Sequence, residues 1–305
     1  MTKVFAVAVS LLTLSLGTVA LSFTTIDVEA GLLSANGSAA QSINDRGDVV
    51  GFTMDEIGKG HPYLVRKGVV TFFEPPSTWG AVESAPRSMN SSGDIVGEYY
   101  PADGTIHGFL RSHLGKWTSL DVPGAEGGTF AQGINGQGEI VGVAGGFVDP
   151  NIGTNHGFLF RPGHDRAPGS YLPIDFPGAD STYAVGINDD GDVVGFYYLR
   201  SEKTFHGFLQ HEGDFTTVDV PGTQGIVVLG TNPRSINSSG EIAGQFWTDD
   251  GGYHGFLLSK GTYTTFDMPG ALMTGTMSIN DHGEIVGFYF DEAWMAHGFK
   301  AVRAH

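Results

Sequence analysis

Ile187-Asn188-Asp189-Asp190-Gly191-Asp192-Val193-Val194-Gly195 decides the fold, because the same pattern occurs six times in the chain. The pattern is Ile or Met, Asn, two variable residues, Gly, an acid, two small or branched apolar residues, and Gly. Its asparagines are Asn44, Asn90, Asn135, Asn188, Asn237 and Asn280, and its turn glycines are Gly47, Gly93, Gly138, Gly191, Gly240 and Gly283. Asn at the first place and Gly at the fourth is the preferred chemistry of a type I turn. Short β-branched runs flank each copy, so each is a hairpin joining the first and second strands of a unit.

Two further motifs follow each hairpin. The first is His-Gly-Phe-Leu, with His61, His107, His156, His206, His254 and His297; the first copy reads His61-Pro62-Tyr63-Leu64 and the last ends in Lys300. The other resembles Phe-Thr-Thr-Ile-Asp-Val-Pro-Gly, with Asp27, Glu74, Asp121, Asp175, Asp219 and Asp267 as its acids. They read as the third and fourth strands. Paired positions in a hairpin sum to a constant. His206 with Asp219 centres a turn on Glu212-Gly213, His254 with Asp267 on Lys260-Gly261, and His61 with Glu74 on Lys67-Gly68. All three centres are an x-Gly pair, the two-residue loop of tight hairpins. Each repeated His therefore faces a repeated acid.

Six units of four strands imply an all-β, six-bladed β-propeller with four-stranded antiparallel blades. The last unit has no fourth strand of its own, but an orphan copy, Phe23-Thr24-Thr25-Ile26-Asp27-Val28, lies near the start of the chain. The last blade is expected to be completed by this N-terminal strand, closing the ring without an open edge. A solenoid or prism is the alternative, and neither needs the strand count to come out even.

Outward from the repeat, Lys3 is followed by the uncharged run FAVAVSLLTLSLGTVA, ending at Ala20. This is the layout of a secretory signal peptide, expected over residues 1–20, with one propeller domain over 21–305. The run is short and Ser/Thr-bearing for a membrane anchor, which needs about 20 apolar residues. The expectation is a secreted or extracellular protein, with the periplasm or cell surface as variants, and no membrane insertion after cleavage. There are 16 Lys and Arg against 33 Asp and Glu, a net charge of -17. A surface that acidic repels phosphate backbones, so no nucleic-acid partner is expected. The 47 glycines, about twice the usual share of roughly 7%, suit a turn-rich protein. Cysteine is absent, which excludes disulfides and thiolate metal sites.

Ser42-Ile43-Asn44-Asp45-Arg46-Gly47-Asp48-Val49-Val50-Gly51, His206-Gly207-Phe208-Leu209 and Asp219-Val220-Pro221-Gly222 resemble the HAF family of extracellular repeat proteins. The similarity covers essentially the whole chain after residue 20. It implies export and repetition, and no particular activity.

A His–acid pair in every blade reads as a brace that pins strand register. With a carboxylate beside it, the charged form of each His is expected to be favoured, and if the pairs are ionised the fold would loosen at mildly alkaline pH. A metal site built from the same residues is the sharper alternative, but one His and one acid per blade are too few unless they converge at the axis. Asn188-Asp189-Asp190-Gly191-Asp192 lacks the Glu that an EF-hand loop needs. No metal and no cofactor is assigned. No hydrolase elbow, zinc helix or phosphate loop is present, so no catalytic residue is assigned. The variable connections, second-to-third within a blade and fourth-to-first between blades, emerge on one face. The candidate ligand-binding residues there are Trp79, Tyr99, Tyr100, Phe147, Asp149, Tyr198, Trp247, Asp249, Asp250, Asp291, Glu292 and Trp294. Aromatic rings beside carboxylates suit sugars, so the expected function is non-enzymatic binding, as a monomer, of glycans or cell-surface polymers. The alternatives are a carbohydrate-active enzyme, with Asp149, Asp250 and Glu292 as acids to test, and a purely structural exported protein.

Overall fold

A computed structural model of the chain describes residues 3–9, 20–29, 31–34, 36–145, 154–163, 169–223, 230–248 and 251–304. These residues form six antiparallel sheets around an axis. Blade 1 is Ser38–Ile43, Val49–Met54, Gly60–Arg66 and Val69–Phe72. Blade 2 is Ala81–Met89, Ile95–Pro101, His107–Arg111 and Trp117–Leu120. Blade 3 is Thr129–Ile134, Ile140–Ala144, His156–Arg161 and Ser170–Ile174. Blade 4 is Ser181–Ile187, Val193–Leu199, Thr204–His211 and Asp214–Thr217. Blade 5 is Thr231–Ile236, Ile242–Trp247, Tyr253–Ser259 and Thr262–Phe266. Blade 6 is Met273–Ile279, Ile285–Phe290 and Ala296–Arg303, with Leu21–Glu29 as its fourth strand.

The chain closes as its strand count requires. Leu21 pairs with Arg303, and the register runs antiparallel to Ile26 opposite Gly298. Lys3–Val9 pairs in turn along Leu21–Glu29 as a fifth, outermost strand, so blade 6 is one strand wider than the four expected. That strand falls within the stretch read as an export signal. Leu21 and Phe23 are buried in one apolar cluster with Ile285, Phe299 and, from blade 5, Leu257. The seam is therefore packed as well as hydrogen-bonded.

The core lies between blades. Val50 and Leu64 of blade 1 pack against Met89, Ile95, Tyr99 and Phe109 of blade 2, and equivalent clusters fill other junctions. The closing Gly of the turn motif makes this packing fit. A Cβ on Gly97 would collide with the Ala85 carbonyl and come within 2.9 Å of the Phe109 ring. The aromatic of the third strand thus lies across a bare backbone, and Tyr63, Phe109, Phe208, Phe256 and Phe299 are fully buried there.

The repeated Asn does two things at once. Its Oδ1 closes its own turn: in blade 4 it accepts from the backbone N–H of Asp190 (3.1 Å) and Asp192 (2.8 Å). Its Nδ2 reaches the next blade. Asn44 donates to the Asn90 carbonyl (3.4 Å), Asn90 to Asn135 (3.1 Å), Asn135 to Asn188 (3.1 Å) and Asn188 to Asn237 (3.3 Å). Asn237 donates to Asn280 (3.1 Å), and Asn280 returns to Asn44 (3.1 Å). This circle of six amides rings one end of the axis. The acid of each turn motif is tied to the far end of a third strand, as in Arg66–Asp48 (2.9 Å), His113–Asp94 (2.8 Å) and Arg161–Glu139 (2.9 Å).

Candidate functional site

The first strands of the six blades stand side by side around the axis. Each carries one extra residue three places before its Asn, where the register with the second strand shifts. A β-bulge of this kind re-aims a side chain. The six bulge residues are Gln41, Arg87, Gln132, Val185, Arg234 and Met277. Below them, toward the Asn circle, small residues are forced by close approach. A Cβ on Gly186 would stand 2.9 Å from the Arg234 carbonyl oxygen, and the Ser42 and Ser278 hydroxyls are 3.5 Å apart.

Two bulge residues are charged, and they belong to blades 2 and 5, which stand opposite each other in a ring of six. Arg87 places Nε 2.7 Å from Glu98 Oε1, and its terminal nitrogen bonds the same oxygen. Glu98 is fully buried, and Tyr100 Oη donates to the shared oxygen at 3.3 Å. Burial, then the Glu98 charge, pushes the Tyr100 hydroxyl far above its usual range, so it stays a donor. Burial lowers Arg87, but the Glu98 carboxylate outweighs it and holds the guanidinium charged.

Arg234 has no such partner. Its Nε is inaccessible and unbonded, and it makes no ion pair among the described residues. Burial, then repulsion from Arg87, draws its pKa down to about 10, with Glu98 pulling the other way. Since Arg87 and Glu98 belong to the opposite blade, their charges act on Arg234 across the axis. Further polar atoms here lack partners among the described residues: Glu98 Oε2, Gln41 Oε1, and on blade 5 Asn232 Oδ1 and Gln245 Oε1. Asn232 and Gln245 face each other in register. Buried polar atoms are normally satisfied, so a group of orphans marks a place where something else supplies the bonds.

From this chamber an aromatic path leads outward along the blade 5–6 junction. A Cβ on Gly275 would lie 3.2 Å from Gln245 Oε1 and 2.6 Å from the Phe288 ring, so amide and ring meet over that glycine. Phe288 contacts Tyr253 at 6.0 Å and Phe290 at 5.8 Å between ring centres. Tyr253 contacts Trp247 at 5.4 Å, and Phe290 contacts Trp294 at 5.9 Å. Trp294 is 61% exposed and holds φ at +60°, a left-handed position where blades 1, 2 and 5 use Gly58, Gly104 and Gly251. A bulky residue there is strained.

The structure sorts the residues expected to bind ligand. Tyr100, Trp247 and Trp294 belong to the chamber or its aromatic path. Tyr99 and Tyr198 are buried in their blades: Tyr99 bonds Ser119 (3.1 Å), and Tyr198 packs on Phe205 (4.9 Å). Trp79 lies on Tyr99 at 4.7 Å and on Trp117 at 6.0 Å, which is packing between blades 1 and 2. Asp291 closes its own loop by accepting from Ala293 and Met295 (both 2.9 Å), and Glu292 is exposed beside it. Phe147, Asp149, Asp249 and Asp250 lie outside the described residues. Sequence reasoning passed over Arg87, Glu98, Asn232, Arg234 and Gln245. Their signal was variation at three fixed repeat positions in the first and second strands of the blades.

The repeated His residues act as braces away from the axis. Nδ1 lies 2.7 Å from the acid in the His107–Asp121 and His206–Asp219 pairs, 2.9 Å in His254–Asp267 and 3.1 Å in His297–Asp27. His61 is looser toward Glu74 at 3.9 Å but bonds Asp55 at 3.1 Å. The rings of His107, His206 and His297 stack on Tyr99, Tyr197 and Tyr289. Each such pair is spent within its own blade. Among the described residues no group of three or more His, Asp or Glu is arranged to hold a metal ion.

No family model matches the chain, and no curated protein matches it significantly. Among solved structures it is similar to a gluconolactonase from Xanthomonas campestris, at 13% identity over 98% of this chain and 97% of that one, with a TM-score of 0.52. It is also similar to the Pyrococcus horikoshii acylaminoacyl peptidase, at 10% identity over 94% of this chain and 49% of that one, with a TM-score of 0.50. A fucose-specific lectin from Aleuria aurantia matches at 11% identity over 87% of this chain and 94% of that one, with a TM-score of 0.40. At such identities the likeness is one of fold.

Proposed function

We propose that this propeller is an exported, non-enzymatic binding protein that takes a glycan through the mouth of its axis on the variable-loop face. The observation that carries this reading is the set of inaccessible polar atoms on Glu98, Asn232, Arg234 and Gln245 with no partner among the described residues, in a scaffold whose repeated turns and braces are hydrogen-bonded. The aromatic path from Phe288 to Trp294 supplies flat faces on which sugar rings stack. Catalysis is less well supported. Glu98 is committed to Arg87 and Tyr100, and Glu292 is exposed on its loop. Export is supported by the apolar run before Ala20 and by the resemblance to HAF repeats, and the closing strand starts at Leu21, directly after the expected cleavage point.

The test is a broad glycan array with a cell-wall pull-down, run on residues 21–305 and repeated with W294A. Binding that falls at least several-fold in W294A supports the proposal. An empty array together with an empty pull-down, or binding indifferent to Trp294, refutes it. Intact-mass measurement of protein recovered outside the expressing cell reads the cleavage point directly.

A further inference from the structure

The charges at the axis specify the ligand more narrowly. We infer that the chamber takes one carboxylate, carried by a sugar acid of the uronate type, with Arg234 as its main partner. This rests on the glycan-binding reading above and deepens it.

Among the described residues, two guanidiniums and one carboxylate face the axis from opposite blades, one positive charge in excess, in a chain whose net charge is -17. Glu98 is engaged by Arg87 through one oxygen. Arg234 is half-buried, its Nε is shut off from solvent, and it has no partner among the described residues, a costly arrangement unless a counter-charge arrives. The planar fork of a guanidinium matches a carboxylate through two parallel hydrogen bonds. Glu98 Oε2 has no partner among the described residues, and its charge would repel a second negative charge on the ligand. That favours a monoanion over a phosphate ester.

The rest of the chamber fits a polyol and not a simple anion. Asn232 Oδ1, Gln245 Oε1, Gln41 Oε1 and Glu98 Oε2 are all acceptors, and hydroxyl groups donate. Phe288 beside Gln245 offers a ring face at the same depth. A carboxylate at one end, hydroxyls around it and a pyranose face together describe a uronic acid, either free or at the end of a polymer.

Isothermal titration of the full chain with sodium D-glucuronate, methyl D-glucuronate, D-glucose, glucose 6-phosphate, acetate and a short oligogalacturonate tests this. The expected result is an acid that binds at least tenfold more tightly than its methyl ester, glucose, the phosphate ester or acetate. Comparison of monomer with oligomer tells a free sugar acid from a polymer end. Ester or glucose binding equal to the acid overturns the inference while leaving glycan binding intact; silence here and on the array removes both. R234Q should abolish the preference for acid over ester without lowering Tm, because it deletes a half-buried charge that has no partner among the described residues. R234K, which keeps the charge but not the fork, should lose most of the preference while remaining folded. Retention of the full preference in both variants overturns the assignment.

Discussion

Asn188 offers a sharp test of how the ring is held shut. Its side chain makes four hydrogen bonds: Oδ1 accepts from Asp190 and Asp192, and Nδ2 donates to the Asn237 carbonyl (3.3 Å) and Asp192 Oδ2 (3.1 Å). Asp is as good as Asn at opening a type I turn. If Asn188 served its own turn alone, N188D would be neutral. Because Nδ2 also bridges blades, N188D keeps both accepted bonds but sets a carboxylate against the Asn237 carbonyl and the Asp192 carboxylate. Each lost bond is worth about 1 kcal/mol and a buried orphan about 1–3 kcal/mol. The penalty is then about 3 kcal/mol, close to that of N188A, which removes all four bonds. Unfolding entropy of about 2.1 cal/mol/K per residue gives a chain of this size about 0.6 kcal/mol/K, so Tm should fall by about 5 °C. Thermal denaturation by circular dichroism reads the shift. An N188D protein melting within about 1 °C of wild type would show that the circle of amides bears no share of closure.

Four further outcomes follow from the same contacts. E98Q should destabilise by about 3–5 kcal/mol, since it leaves Arg87 and Arg234 facing each other without a carboxylate; urea denaturation measures it, and a loss under 1 kcal/mol contradicts the pairing. Removing residues 1–20 should leave Tm nearly unchanged, whereas removal through Glu29 strips Leu21 and Phe23 from the seam, worth about 1.5–3 kcal/mol each, and exposes a strand edge. W294G should stabilise by about 1 kcal/mol by relieving the left-handed strain while it weakens glycan binding; equal or stronger binding would detach Trp294 from the site. Stability should drop on acidification. Asp55 is held low by the bond from His61, and Asp291 by the backbone bond from Met295. In Glu241 and Glu284 burial pushes the other way but is outweighed by bonds from Ser259, Arg303 and Asn237 and from Lys300 and Asn280. A carboxyl whose folded value is depressed contributes stability that is complete above its unfolded value and lost as pH falls through the folded one. The decline should begin below about pH 4.5, and a Tm that is flat down to pH 3 would contradict these bonds.

The repeat was readable because each invariant residue answers a local demand. Asn and Gly are set by the turn, the second Gly by the Phe109-type ring lying over it, and the His–acid pairs by strand register, which is why sums such as His206 with Asp219 located the hairpins. The site was hidden for the opposite reason. Arg87 and Arg234 occupy a position where the six copies disagree, and the bulge that turns them to the axis breaks the period-two alternation from which a strand's facing is read. Loop aromatics looked more available than they are, because Tyr99 and Tyr198 alternate into the blades. Nor does spacing alone bring the two arginines together. They lie three units apart, and only a ring of six places such units face to face; in a ring of five or seven their charges would not oppose each other. The strand Leu21–Glu29, which brings the ring to closure at six, therefore determines which charges meet at the centre, and the geometry of the chamber depends on the seam that closes the fold.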